Sequence, residues 1–243
     1  MTHVVSLIGD DQVSDLYVPE TRFGMWFLKS DIWEQHVLNR ALKDLDRLIL
    51  DRRECYPVIV DVGCGWGMAF RLLSERFKPQ RMIGIDIEPG MIAAAAANVA
   101  GQGLQVEFHR SSGARLPLQD ESVDMVFCHQ TFHHLIDQHT ALREFHRVLR
   151  PNGLLLFAES TRKYINSWII RMLFRHPMEV QRSAAGYIGM ILDAGFTVDS
   201  GSLSFPYLWW SRADLGLLER VFGVQPAPGH EETLVNLVAV RAH

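Results

Sequence analysis

The chain has 243 residues, of which 48% are hydrophobic and 21% charged, and its formal net charge is −4. This length is sufficient for one α/β domain with an added cap. The basic residues are scattered and the balance is mildly acidic, which argues against a nucleic-acid partner. Three cysteines without metal-ligand spacing indicate reduced thiols, and no apolar run approaches the roughly 18 residues of a spanning helix. We therefore expect a soluble, unprocessed cytoplasmic protein.

The N-terminal part of the chain predicts an irregular arm over residues 1–21, followed by a helix from Ser30. Ser30 can cap this helix, and its apolar residues fall on one face: Leu38, Ala41, Leu42, Leu45, Leu48 and Ile49. Between the arm and the helix, residues 23–28 are unusually aromatic. Two interpretations of this segment remain open, a helix tail packed on the sheet or a flap that closes over a ligand.

A glycine-rich motif follows the first predicted strand. Residues 58–62 are apolar and rich in β-branched side chains, as in a strand that is buried on both faces. Gly63, Gly65 and Gly67 then favour a sharp turn in which bare backbone can approach a ligand, and a helical pattern comes next. The spacing is G-x-G-x-G after Asp61, which differs from the G-x-G-x-x-G of dinucleotide-binding proteins.

The second predicted strand, residues 82–87, carries Asp86 at its carboxyl end. A carboxylate in this position, about twenty residues beyond a glycine turn, can accept hydrogen bonds from both hydroxyls of a ribose. The alternative is that Asp86 only caps the helix after Pro89. The glycine turn and Asp86 together are a more specific signal than either alone.

These motifs resemble those of class I S-adenosylmethionine (SAM)-dependent methyltransferases, of the type that includes the ubiquinone- and menaquinone-biosynthesis enzymes. The D-x-G-x-G-x-G stretch is similar to their motif I. Residues 110–118 resemble their G-D-A-x-x-L-P-F segment and residues 122–126 their S-F-D-x-V stretch, while residues 129–135 hold a similar short histidine segment. The sequence A-L-R-E-F-H-R-V-L-R-P-N-G at residues 141–153 closely matches their helix-and-turn signature.

The resemblance implies an α/β fold of Rossmann type: a seven-stranded, mostly parallel sheet with helices on both faces and an antiparallel last strand. It also implies SAM as the cofactor. Ser112 replaces the acidic residue that normally holds the adenine amino group, and a hydroxyl binds that edge more weakly than a carboxylate. The candidate cofactor-binding residues are Asp61, Gly63, Cys64, Gly65, Gly67, Asp86, Ile87, Met91, Ser112, Gly113, Ala114 and Gln130.

Three histidines lie near the carboxyl end of the fourth predicted strand: His129, His133 and His134. The i, i+4 pair suggests a metal site, but no carboxylate-rich motif accompanies it, so no metal is predicted. His133 and His134 are the candidate catalytic residues, because an imidazole at the site can act as a general base. The alternative is that one of them caps a helix or packs against the cofactor.

Beyond the fifth strand, residues 160–177 show helical spacing with apolar residues on most sides. This segment is either a lid over a hydrophobic cavity, which the blunted amphipathicity favours, or a surface helix that contacts a membrane. A helix over residues 186–194, a sixth strand over residues 196–200 and an antiparallel last strand over residues 233–241 complete the predicted elements. Residues 201–232 form an aromatic insertion, either a substrate wall or an oligomer contact.

The sequence therefore predicts a single domain over residues 1–243, with an N-terminal arm and helix (1–55), a SAM-binding core (56–160), and a region of lid, insertions and final strands (161–243). The predicted activity is methyl transfer to a small, hydrophobic or aromatic acceptor, with the oligomeric state left open. A SAM-binding protein without turnover is the alternative, since Ser112 is atypical and no clear base stands out. A nicotinamide-dependent oxidoreductase is disfavoured by the glycine spacing.

Overall fold

The computed structural model describes residues 4–6, 20–212, 215–225 and 232–242. The strands are β1 (Val4–Ser6), β2 (Val58–Val62), β3 (Arg81–Asp86), β4 (Val106–Arg110), β5 (Val123–His129), β6 (Leu149–Ser160), β7 (Phe196–Thr197), β8 (Leu203–Ser204) and β9 (Leu234–Arg241). The helices are α1 (Arg22–Phe27), α2 (Asp31–Trp33), α3 (Asn39–Leu48), α4 (Ala69–Phe77), α5 (Pro89–Gly101), α6 (Gln138–Val148), α7 (Arg162–Ile165), α8 (Trp168–Leu173), α9 (Ala184–Asp193) and α10 (Leu217–Phe222).

The strands form one sheet in the order β1-β4-β3-β2-β5-β6-β9-β7, and β8 also pairs with β9. The strands from β1 to β6 along this order are parallel, whereas β9 runs antiparallel to β6, β7 and β8. The chain proceeds from β2 towards one edge and later returns to place β5 on the other side of β2. Open α/β sheets bind ligands beside the carboxyl ends of their strands at such a switch point.

Helices cover both faces of the sheet, because successive residues of its central strands point to opposite sides. Met125 and Phe127 of β5 pack with α3 and α4, whereas Val126 and Cys128 pack with α6 and α9. A third cluster joins α5 to the β3–β4 side of the sheet. This arrangement confirms the predicted fold class.

The structure corrects several predicted elements. Among the described residues the sheet has nine strands, against the seven predicted. The additional strands are β1, which lies in the predicted irregular arm and pairs with β4, and β8, which lies in the insertion and pairs with β9. The predicted strand over residues 196–200 is only two residues long, since a 3-10 turn at Ser200–Ser202 ends it. β1 and β8 are too short to show a period in the sequence.

The N-terminal helix begins as predicted at Ser30, whose hydroxyl accepts a hydrogen bond from the Trp33 N–H at 3.3 Å. It continues through a π-helix at Glu34–Leu38 into α3. The wider π-turn follows directly on Trp33, which lies beside the site described below. Such π-segments are frequent at functional sites.

The predicted helix over residues 160–177 is divided into α7 and α8. Ile165 and Ile170 are buried, but Trp168 and Met172 are exposed by 70% and 63%. The segment covers α1 from outside: Phe174 contacts Phe23 and Phe27 edge to face, with ring centroids 5.7 and 5.8 Å away. In the part of the chain that the structure describes, no helix combines the length and the apolar character that crossing a bilayer requires.

Candidate active site

The glycine turn lies at the carboxyl end of β2 and is tied to β3. The N–H groups of Gly63 and Cys64 both donate to the Ile85 carbonyl, at 2.8 and 3.0 Å. Gly63, Gly65 and Gly67 all have positive φ, of 76°, 51° and 72°. A Cβ on Gly63 would lie 2.1 Å from the Thr131 side chain, so only glycine fits between the turn and the loop after β5.

Asp86 ends β3 opposite this turn. One of its carboxylate oxygens accepts the Gly65 N–H at 2.9 Å, and the other accepts the Glu88 N–H at 3.0 Å. The carboxylate is therefore fixed between the turn and the start of α5. Burial raises the pKa of Asp86 to about 6, against the opposing effect of these backbone hydrogen bonds.

Asp61 lies in β2, the strand next to β3, and is 3% exposed. Burial, and secondarily the charge of Asp86, raise its pKa to about 8. Two carboxyl groups are thus held at one end of the site with unfavourable solvation. A ligand that supplies hydroxyl donors or positive charge would relieve this cost.

A cavity of about 380 Å³ opens between the turn and the N-terminal helices. Its polar and backbone lining includes Asp61, the glycine turn, Asp86 and Ser112. Its apolar and aromatic lining includes residues from the N-terminal segment and from β5: Met25, Leu28, Trp33, Leu38 and Phe127. The Lys29 ammonium lies 3.6 Å from the ring centre of Trp66, which joins the segment after α1 to the glycine turn.

The structure brings all but two of the predicted cofactor residues to this cavity. Asp61, Gly63, Cys64, Gly65, Asp86, Ile87, Met91, Ser112, Gly113 and Gln130 line it. Gly67 instead allows α5 to approach the turn, since a Cβ there would lie 3.2 Å from Ala95. Ala114 packs against the main core cluster.

The two candidate catalytic histidines have different surroundings. His134 lines the cavity, and burial holds the pKa of its imidazole well below the ordinary value, so the ring is neutral at neutral pH. His133 lies behind it and is 3% exposed. Its Nδ1 is 2.5 Å from the Glu159 carboxylate, which is fully buried.

Glu159 organises the loop that carries these histidines. One oxygen accepts the N–H groups of Thr131 and Phe132 at 2.7 and 2.6 Å, and the other contacts His133. Gln181 donates to the His133 carbonyl at 2.8 Å from the opposite side. The 3-10 turn at Phe132–His134 is therefore fixed by a buried carboxylate and a buried amide.

A second cavity of about 410 Å³ adjoins the first, and His129 and Gln130 line both. Its other walls include Phe205, Leu208 and Trp210 of the predicted insertion. His129 Nε2 is buried and has no hydrogen-bond partner among the described residues. Burial lowers the pKa of this imidazole to about 3, so it is neutral as well.

Comparison with known proteins identifies the family of this site. The family model described as "Methyltransferase domain" matches residues 60–157, which include the glycine turn, Asp86 and the histidine loop. This region is a methyltransferase domain. The malonyl-[acyl-carrier protein] O-methyltransferase 1 of Coxiella burnetii is 33% identical over 50% of this chain and 39% of its own length. The demethylmenaquinone methyltransferase of Thermus thermophilus is 30% identical over 52% of this chain and 53% of its own length.

A solved SAM-dependent methyltransferase from Aquifex aeolicus shares the fold of this chain, with a TM-score of 0.63 and 20% identity over 90% of this chain and 97% of that one. The chain spans about half the length, or less, of the curated relatives that it matches. The comparisons confirm the predicted resemblance to SAM-dependent methyltransferases, and SAM as the cofactor of this methyltransferase domain.

The residues present fit this cofactor. Gly63 and Gly65 leave backbone open to the cavity, Asp86 presents a fixed carboxylate at the end of the second strand, and the Trp66 indole N–H is buried without a partner among the described residues. Ser112 is the one candidate whose chemistry departs from the family pattern, and it does line the cavity.

Sequence reasoning missed several residues around the cavity. Glu20, Trp33 and Thr131 line it, and Glu159 and His176 lie immediately behind it. The aromatic segment at residues 23–28 was a signal that the N-terminal part of the chain contributes to the cavity wall, since Met25 and Leu28 do line the cavity. Nothing in the local sequence indicates His176, because only the fold brings it next to the histidine loop.

Proposed function

We propose that this protein transfers the methyl group of SAM to a small, hydrophobic or aromatic acceptor molecule. The observation that carries the proposal is the lining of one cavity, which combines two kinds of residue. Its carboxylates and glycine turn suit a nucleoside and an amino-acid group, whereas its aromatic and aliphatic side chains suit an apolar acceptor. The same site therefore offers groups for both molecules.

The methyl group of SAM is already activated by its sulfonium, so the protein need not supply a covalent nucleophile. Its own residues have to bind the two molecules, orient them and exclude water. In our proposal Asp86 binds the ribose hydroxyls, and Asp61 and the glycine turn bind the amino-acid portion. Ser112 and Gly113 contact the adenine, and Gln130 contacts the cofactor near the middle of the cavity.

At the acceptor end, His134 is the candidate that touches the reacting molecule. Its neutral ring can accept a hydrogen bond from an acceptor hydroxyl or thiol and so orient the nucleophilic atom. We propose a positioning role for His133, since it is buried and bonded to Glu159. Trp33 and Phe127 would form the apolar walls.

We also propose that the protein is located in the cytoplasm.

The test combines calorimetry with SAM and product detection by mass spectrometry over a panel of apolar and aromatic acceptors. Asp86→Ala should abolish measurable SAM binding. Trp33→Ala should leave the SAM dissociation constant within about twofold but raise the acceptor KM about tenfold or more, which corresponds to about 1.4 kcal/mol.

Absence of SAM binding in folded protein, or SAM binding that Asp86→Ala leaves unchanged, would contradict the proposal. Tight SAM binding without product from any acceptor in the panel would instead favour a SAM-binding protein without turnover.

A further inference from the structure

Three imidazoles meet behind the acceptor end of the cavity. His133 and His134 belong to the 3-10 turn after β5, and His176 follows α8. Their ring centroids are 4.3, 4.9 and 5.1 Å apart, and one ring nitrogen from each lies within 4.8 Å of the others. Imidazoles that share one metal ion at about 2.1 Å have ring centres about 5 Å apart. The three nitrogens are thus close enough for small side-chain rotations to bring them onto one ion.

The hydrogen bonds of the cluster leave one free ligand atom on each ring. The Nδ1 of His133 contacts Glu159, so its Nε2 remains available. The ring nitrogens of His134 and His176 make no hydrogen bond within the described ranges. The three nitrogens therefore lie close together and are each available to one shared ligand.

Two carboxylates near the three histidines add negative charge, which favours a bound cation. Glu159 bonded to His133 reproduces the carboxylate–histidine arrangement that orients metal ligands and raises their basicity. Glu20 lies in electrostatic range of His133, and its carboxylate accepts the N–H of Arg175, the residue before His176. Two carboxylates therefore lie near the cluster, and one cation, the Arg175 side chain, lies in electrostatic range of Glu20.

We propose that His133, His134 and His176 bind one divalent transition-metal ion, with Zn²⁺ as the first candidate because it favours imidazole ligands and a tetrahedral site. Three protein ligands leave one position open. Because His134 also lines the cofactor cavity, that position would face the acceptor end. With an ion bound, the His134 nitrogen would be a ligand, and the ion in its place would contact and polarise an acceptor oxygen or sulfur. Metal binding at this cluster does not depend on methyl transfer being the activity.

The sequence disfavoured a metal because no carboxylate-rich motif accompanies His129, His133 and His134 along the chain. The structure supplies the missing groups from distant segments: His176 from the chain after α8 and Glu159 from the end of β6. It also removes His129 from the candidate ligands, since the cluster consists of the other two and His176.

The test uses the full chain without a polyhistidine tag, stripped of metal by a chelator that is then removed. Co²⁺ is titrated and followed by its visible absorption, and Zn²⁺ affinity is measured by competition with a chromophoric chelator. We expect one equivalent bound with micromolar or tighter affinity and the intense d–d bands of low-coordinate Co²⁺. His176→Ala should weaken Zn²⁺ binding at least about 100-fold, and Glu159→Gln about 10- to 100-fold.

His139→Ala removes an exposed histidine of α6 and is the matched control, with an affinity within about twofold of the unchanged chain. Thermal unfolding with and without Zn²⁺ separates loss of the site from loss of the fold: the midpoint should rise with Zn²⁺ in the unchanged chain and stay constant in a folded His176→Asn variant. Binding weaker than about 0.1 mM, or binding that neither His176 substitution alters, overturns the proposal.

Discussion

At the scale of single residues, Gly63 shows how tightly the cofactor turn is fitted. It combines positive φ with the Thr131 side chain 2.1 Å from where a Cβ would lie. We predict that Gly63→Ala lowers SAM affinity about tenfold or more, equal to about 1.4 kcal/mol, because Thr131 and the turn must separate at the cavity wall. The strained backbone should also cost at least about 1 kcal/mol of stability.

Gly103→Ala is the matched control for this prediction. Gly103 also has a positive φ, of 71°, but open space surrounds its Cβ position, and it is exposed at the end of α5. Calorimetry and urea unfolding should show a comparable backbone cost in Gly103→Ala without a change in SAM affinity. Equal SAM affinities in the two variants would show that the contact with Thr131 is unimportant.

Asp61 predicts a pH dependence of stability. Burial raises its pKa to about 8, whereas in the unfolded chain the carboxyl titrates near 4. Between these values the folded state keeps a proton that the unfolded state has released, so the free energy of unfolding falls as pH rises. Asp61→Asn removes this penalty, which is at most about 1.4 kcal/mol per pH unit.

The melting temperatures of Asp61→Asn and the unchanged chain should therefore coincide near pH 4 and separate towards pH 8, with the variant higher by several degrees. SAM affinity should fall in the same variant. Asp51→Asn removes an exposed carboxylate and should change the melting temperature little at either pH. A constant difference between Asp61→Asn and the unchanged chain across the pH range would contradict the burial argument.

How far single residues could be predicted from the sequence depended on their spacing along the chain. Asp61 and Asp86 end neighbouring parallel strands, and the G-x-G-x-G turn lies between them. The order of these motifs along the chain was therefore sufficient to predict that they lie close together. The contact of Glu159 with His133, and the approach of His176 to both histidines, depend on how distant segments pack. No local pattern encodes such contacts.

At the scale of elements, the end of β6 supports the loop after β5 through one buried carboxylate. Glu159 accepts hydrogen bonds from Thr131 and Phe132 and contacts His133. We predict that Glu159→Gln destabilises the protein by about 1–3 kcal/mol, because a neutral amide accepts the Thr131 and Phe132 N–H groups more weakly than a carboxylate and its NH2 forces the His133 ring to change tautomer.

Urea unfolding measures this effect, with Glu75→Gln as the control. Glu75 forms an exposed pair with Arg71 on α4, and its loss should cost less than about 1 kcal/mol. A Glu159→Gln variant as stable as Glu75→Gln would show that the backbone alone holds the histidine loop.

The long elements were predictable because their periods are strong, and the short ones were not. The parallel strands from β2 to β6 and the helices α4, α5 and α6 each bury a continuous apolar pattern. The π-helix after Trp33 has the same composition as an α-helix, so only its packing distinguishes it. α7 and α8 were predicted as one helix, either a buried lid, which was favoured, or a surface helix, and the Trp168 side chain faces solvent.

At the scale of the whole molecule, the cavity draws its walls from several separate segments between residues 20 and 135, and the sheet joins these segments to β9. We therefore expect a single cooperative unfolding transition, as for one domain. S-adenosylhomocysteine at 100 times its dissociation constant should stabilise the chain by about 2.7 kcal/mol, or roughly 5–10 °C.

Differential scanning calorimetry provides both measurements. Two resolved transitions, of which only one moves with ligand, would contradict the single-domain prediction. Asp86→Ala should keep one transition but lose the shift, because it removes the carboxylate and leaves the core clusters intact.

The division of the cavity walls has a consequence for how such a protein can change its chemistry. The residues that we propose to bind the nucleoside lie within residues 60–157. Met25, Leu28 and Trp33 instead come from the segment before that region, which Phe174, the residue after α8, supports through contacts with α1. Diversification of acceptor choice therefore does not need to disturb the donor end. If the N-terminal helices were exchanged together with the α8 segment that supports them, the proposed acceptor walls would change. The inherited SAM site could then serve new acceptors.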